Sequence, residues 1–181
     1  MQAVKSISTS LFLPSKFVTT TSGKSDQIAR LARELGKNEG TLCKKKDFVY
    51  LKLDESYAGT LFDKLKEIDP LIRPCKKLYG IGPHISVIRH NEWKGIPPKE
   101  ISELARRYLF QPLRLEKVQT GKKRLWVLVV EPSKELAKIR KNFGLSEGPY
   151  GHPFHITIAE TDIPILYKVL RHIRDACNRI L

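Results

Sequence analysis

Two short stretches of this chain carry side chains suited to moving protons. The first is His84-Ile85-Ser86-Val87 and the second is His155-Ile156-Thr157-Ile158. Each follows a Tyr-Gly pair at the same distance, Tyr79-Gly80 and Tyr150-Gly151, and all matching positions are separated by 71 residues. Histidine titrates near neutrality. At one pH, one imidazole can be neutral and accept a proton while another is charged and donates one. Two imidazoles without a metal-ligand cluster around them therefore point to paired general acid and general base work.

Such work needs both rings at one place, and the pattern supplies a means. Alternate side chains of a strand share a face. His84 and Ser86 then point one way, and Ile85 and Val87 point into the core. His155 and Thr157 point outward in the second copy, with Ile156 and Ile158 inward. Strands laid side by side would bring two imidazoles and two hydroxyls to one cleft. Arg89, by the same alternation, leaves the histidine face. Tyr79 and Tyr150 have two readings, stacking on a substrate ring or shaping the turn into each strand. Gly80, Gly82 and Gly151 suit turn geometry. His152 and His155 have a metal-like spacing, but Pro153 breaks any helix there and no third ligand cluster is visible, so no metal is expected.

The remaining elements follow from periodicity and breakers. Residues 25–36 read as a helix capped by Ser25 or Asp26 and ended by Gly36, with Ile28, Leu31, Ala32 and Leu35 as its stripe. Strand 48–53 and helix 56–68 follow. Pro97-Pro98 opens a helix that buries Ile101, Leu104, Ala105, Tyr108 and Leu109. Residues 113–119 and 124–131 form a hairpin, whose second strand is apolar on both faces and therefore central. Helix 133–143, capped by Ser133, precedes the second histidine strand. A helix over 164–180 closes the chain. Each half repeats strand, helix, histidine strand. The fold expected is α+β, two pseudo-symmetric lobes of mainly antiparallel sheet with helices packed outside and a central cleft. Residues 1–40 form an N-terminal extension with one helix, and residues 41–181 form the bilobal domain.

The 181 residues carry a formal net charge of +14, which favours an anionic partner such as RNA or a phosphorylated nucleotide. Three cysteines, Cys43, Cys75 and Cys177, form no CxxC pair and suit a reducing compartment, so a cytoplasmic location is expected. The longest apolar run, residues 125–130, is too short to span a bilayer, and no membrane partner is expected. Residues 1–24 contain Lys5, Lys16 and Lys24 and no acidic residue, and they fit either an organelle-targeting leader or a strand near residues 8–13 followed by a loop.

The paired His-x-Ser/Thr tetrapeptides, their separation and the helix–strand rhythm resemble the two-histidine (2H) phosphoesterase superfamily, which includes LigT-like RNA enzymes and cyclic nucleotide phosphodiesterases. The resemblance covers roughly residues 45–160. It implies a metal-independent phosphodiesterase without cofactor, with His84 and His155 as catalytic acid and base and Ser86 and Thr157 donating to the phosphate oxygens. The implied substrates are RNA 2′,3′-cyclic phosphate ends, 2′–5′ linkages or cyclic nucleotides. The other reading the composition allows is a basic RNA-binding module of the same fold without turnover.

Overall fold

The computed structural model describes residues 17–18, 23–75, 80–93 and 101–163. The expected helix over 164–180, the strand near 8–13, Pro97-Pro98 and Tyr79 lie outside them.

Helix α1 (Gly23–Glu34) buries Ile28, Ala29 and Ala32 on one stripe and leaves the Arg30–Glu34 ion pair in solvent. It starts ahead of both expected caps. Asp26 lies inside its first turn, where a carboxylate favours the positive end of the helix dipole. Strand β1 is Phe17–Val18, β2 is Glu39–Lys45 and β3 is Phe48–Lys52. Helix α2 (Glu55–Ile68) is capped by Asp54, whose carboxylate accepts from the Ser56 N–H at 2.7 Å and is held below its ordinary pKa chiefly by its hydrogen bond from the Ser56 hydroxyl. Its buried residues Tyr57, Leu61 and Leu65 recur every four positions. Strand β4 (Arg73–Pro74) and β5 (His84–Ile88) follow.

Residues 101–105 form turns rather than the expected helix, and β6 (Arg107–Thr120) takes over from there. Tyr108 is buried but Leu109 is exposed, as strand alternation demands. The apolar spacing fitted a helix. Pairing of Gly40 with Tyr108 gives these residues a β2 partner, and Ala105 turns the chain at φ +67° to reach it. Strand β7 (Lys123–Pro132) completes the hairpin around Gly121, and residues 126–130 are buried throughout, as expected for a central strand. Helix α3 (Lys134–Asn142) is capped by Ser133 and followed by Gly144 at φ +68°. Strand β8 (His155–Asp162) ends the described chain.

Every pairing is antiparallel. The ladder runs β2–β3–β5–β8–β7–β6 and returns to β2, with β1 and β4 added at β6 and β8. Three strands of each half thus form one continuous circuit, an α+β architecture of mainly antiparallel sheet. Helices α1 and α2 pack on its main core with Leu42, Leu51, Ile85, Ile88, Leu128 and Ile156. Trp126, in the central strand, is buried and its indole N–H donates to Asp69 at 3.1 Å. Removing the side chain of fully buried Leu128 by Leu128→Ala should cost about 2–5 kcal/mol, against about 1 kcal/mol for Asp54→Ala at the helix cap, read by urea denaturation.

Candidate active site

Strands β5 and β8 touch at one pair of residues, Ile85 opposite Ile156. Both are fully buried. In that register His84 falls opposite Thr157, and Ser86 opposite His155. All four lie on the face away from the two isoleucines, and each histidine is diagonal to the other. The pair is its own local two-fold. The structure thus brings His84, Ser86, His155 and Thr157 together at one junction.

The two rings are anchored alike. His84 Nδ1 lies 2.9 Å from the Gly82 carbonyl, and His155 Nδ1 lies 2.9 Å from the Pro153 carbonyl. A carbonyl can only accept, so each Nδ1 carries the proton and donates. Each Nε2 is then the position left to take or give a proton. The acceptors, Gly82 and Pro153, are themselves equivalent in the repeat. So are Gly80 and Gly151, at φ +69° and +73°, where a side chain would be strained. Gly148 also admits no side chain, because its added Cβ would fall 1.8 Å from the His152 carbonyl oxygen.

Both imidazoles resist protonation. Burial is the main cause for His84, which is pushed below the usual 6.5, and the Arg89 guanidinium adds to it against an upward pull from the Gly82 carbonyl. Burial likewise dominates at His155, where Pro153 pulls upward and the charges of Arg89, His152 and His84 push downward. The two rings therefore sense each other across the junction. Around His84 the edges of Phe48 and Tyr50 pack at ring-centroid distances of 5.4 and 5.8 Å. With Ile81 these two form a small apolar cluster separate from the main core.

Two features escaped the sequence. The first is a β-bulge in each histidine strand. Tyr50 pairs with Ser86 and Val49 with Ile88, leaving Val87 as the extra residue, and Val127 pairs with Thr157 and Trp126 with Ala159, leaving Ile158. The bulges are at equivalent positions of the repeat. They break the alternation on which the reading of Arg89 depended. With the extra residue Arg89 turns back to the histidine side, and its Cζ lies 5.3 Å from the centre of the Tyr150 ring. Tyr150 itself is part-exposed and turned at φ +55°. The second is a cavity of about 370 Å³ lined by Lys45, Lys46, Asp47, Phe48, Ile81 and His90. Lys45 and Lys46 thus line a space next to the ring that packs on His84. Lys123 is held by Glu160 at 2.8 Å, so it is committed to an ion pair and not only to solvent. Among the described residues no group of three or more His, Cys, Asp or Glu could hold a metal ion, and no helix is long and apolar enough to cross a membrane.

A family model described as "Swiss Army Knife, 2H phosphoesterase domain" matches residues 49–163, a span that holds both tetrapeptides. No curated protein and no solved structure matches the chain.

The depressed imidazoles set a pH dependence of stability. Because the folded pKa values lie below the unfolded ones, their contribution is complete above about pH 6.5 and is lost as pH falls through the folded values. Urea unfolding between pH 8 and 5 should show this decline, and it should shrink in the double variant His84→Asn/His155→Asn.

Proposed function

Because this chain belongs to the 2H phosphoesterases, we propose that it is a hydrolase that opens a phosphodiester of RNA or of a nucleotide by metal-independent general acid–base catalysis. The substrate is a 2′,3′-cyclic phosphate end, a 2′–5′ linkage or a cyclic nucleotide. The observation that carries this reading is the matched anchoring of the two imidazoles, each with Nδ1 bound to a carbonyl two residues back, at the one junction of β5 and β8.

For a 2′,3′-cyclic phosphate the steps balance as follows. One neutral Nε2 takes a proton from water as the water oxygen bonds to phosphorus. The bond from phosphorus to the departing ribose oxygen breaks, and the other, protonated, Nε2 gives that oxygen its proton. Attack and departure lie on opposite sides of phosphorus. Two rings diagonal across a local two-fold suit that requirement. Ser86 and Thr157 donate to the non-bridging oxygens as charge grows there. The cavity beside Phe48 is large enough to receive part of a substrate beyond the phosphate. Tyr150, part-exposed beside Arg89, is in a position to stack on a base. The net charge of +14 supports a polyanionic substrate.

Incubation with 2′,3′-cyclic nucleotides, 2′–5′ oligoadenylate and RNA oligomers in excess chelator should yield hydrolysed product. His84→Ala and His155→Ala should each lower kcat by about 10²–10⁴ while the circular dichroism spectrum is kept. Absence of turnover across that panel, with salt-sensitive RNA binding, would replace the enzyme with a binding module of the same fold. The pH profile is a second check. With both free-enzyme pKa values depressed, kcat/KM should peak on the acid side of 6.5, and kcat, read with a bound anion that favours imidazolium, should peak at higher pH.

A further inference from the structure

Of the charged groups near the junction, Arg89 has the most unusual support. It follows the bulge at Val87, and without that extra residue alternation would send it toward the main core. The bulged residue's carbonyl is taken by Arg140, a fully buried arginine that also donates to the carbonyls of Ser146 and Gly148. Arg140 is paired with Glu92 through contacts of 2.7 and 3.1 Å. Glu92 in turn accepts from the backbone N–H of Arg89 at 2.8 Å and of Tyr150 at 3.1 Å. One buried ion pair therefore fixes the backbone of the residue after the first motif strand and of the residue that opens the second Tyr-Gly. Burial alone would raise the Glu92 pKa, but these hydrogen bonds and the Arg140 charge outweigh it and keep the carboxylate ionised.

The guanidinium of Arg89 lies over the Tyr150 ring. Such stacking engages a face and leaves the in-plane N–H edge able to bind an anion. The repeat makes the arrangement asymmetric. The position equivalent to Arg89 is Glu160, which is buried and tied to Arg73 and Lys123. The cation thus belongs to one half of the site but sits against Tyr150, which opens the repeat unit of the other.

We propose that Arg89 is a further catalytic residue, its guanidinium contacting the phosphoryl oxygens between His84 and His155, and that Glu92 and Arg140 are positioning residues that hold it there. This rests on the phosphoesterase reading. Charge develops on those oxygens as the nucleophile adds, and a fixed guanidinium in a partly dry site stabilises it. The charged groups acting on the rings are Arg89 for His84, and Arg89, His152 and His84 for His155.

The test is Arg89→Met beside Arg89→Lys and the wild-type chain. With the substrate cleaved by wild type, Arg89→Met should lower kcat/KM about 10²–10³-fold. In 1H NMR titrations it should raise the midpoints of both His84 and His155, a change that loss of packing alone would not produce. Arg89→Lys should restore the midpoints toward wild type but recover little of the rate, because an ammonium lacks the planar fork. Glu92→Gln should slow the wild-type enzyme and add little in the Arg89→Met background. Undiminished kcat/KM in Arg89→Met, or unmoved midpoints, would overturn the proposal. Absence of turnover by wild type would instead overturn the phosphoesterase reading. In that case inorganic phosphate binding, followed by the same histidine resonances, still decides on Arg89: it should weaken at least about tenfold in Arg89→Met, and equal affinity would reject its anion contact.

Discussion

A single contact between two isoleucines holds this site together. Ile85 and Ile156 meet across β5 and β8, and neither is exposed to water. Full burial of each side chain is worth about 1.5–3 kcal/mol, far more than any preference of the polar neighbours for one face. The strand period is two, so a slip of one residue would put both isoleucines in the cleft and both histidines in the core. Hydrophobic burial thus sets the register, and the register places the imidazoles. Only one residue pair bridges these two strands, and β2 and β6 supply the other junction between the halves.

The site that results is costly for cations and hence receptive to anions. Arg89 acts on both part-buried imidazoles and His152 on His155, and the rings stay neutral more readily than usual. A bound phosphoryl group would reverse that balance, because a neighbouring negative charge favours imidazolium. Burial and the neighbouring positive charges keep the free rings neutral, and only an added negative charge would offset them.

The pseudo-symmetry is deep in backbone and shallow in charge. Both halves share the positive-φ glycine, the carbonyl anchor and the bulge two residues after the middle of the tetrapeptide's histidine-to-hydroxyl step, at Val87 and Ile158. Beyond the bulge they part, with Arg89 on one side and Glu160 on the other. Glu160 is neutralised by Arg73 and Lys123, whereas the segment around Arg89 is braced from behind by Glu92 and Arg140. A buried ion pair contributes little net stability, because desolvation offsets most of the attraction. Its value here is geometric: one pair satisfies two backbone N–H groups and three carbonyls in loops that have no ladder partner for them.

The amino-acid sequence determined the parts of this protein that depend on local pattern. The repeated tetrapeptides, the inward isoleucines, the central apolar strand at residues 126–130, the hairpin at Gly121 and the cap at Ser133 were all legible, because periodicity, turn residues and capping act over a few positions. Residues 101–110 were not, since their apolar spacing suits a helix and a strand equally until β2 is present to pair with them. Nor was the side on which Arg89 emerges. Alternation predicts its side chain only if the strand is regular, and the bulge at Val87 exists because β3 pairs out of step and a buried arginine 53 residues away accepts the duty of bonding the Val87 carbonyl. The chain alone thus specified which titratable groups share a strand face. Contacts between distant segments decided which charges surround them, because electric fields and bulges belong to the packed structure and leave no mark on neighbouring residues in the sequence.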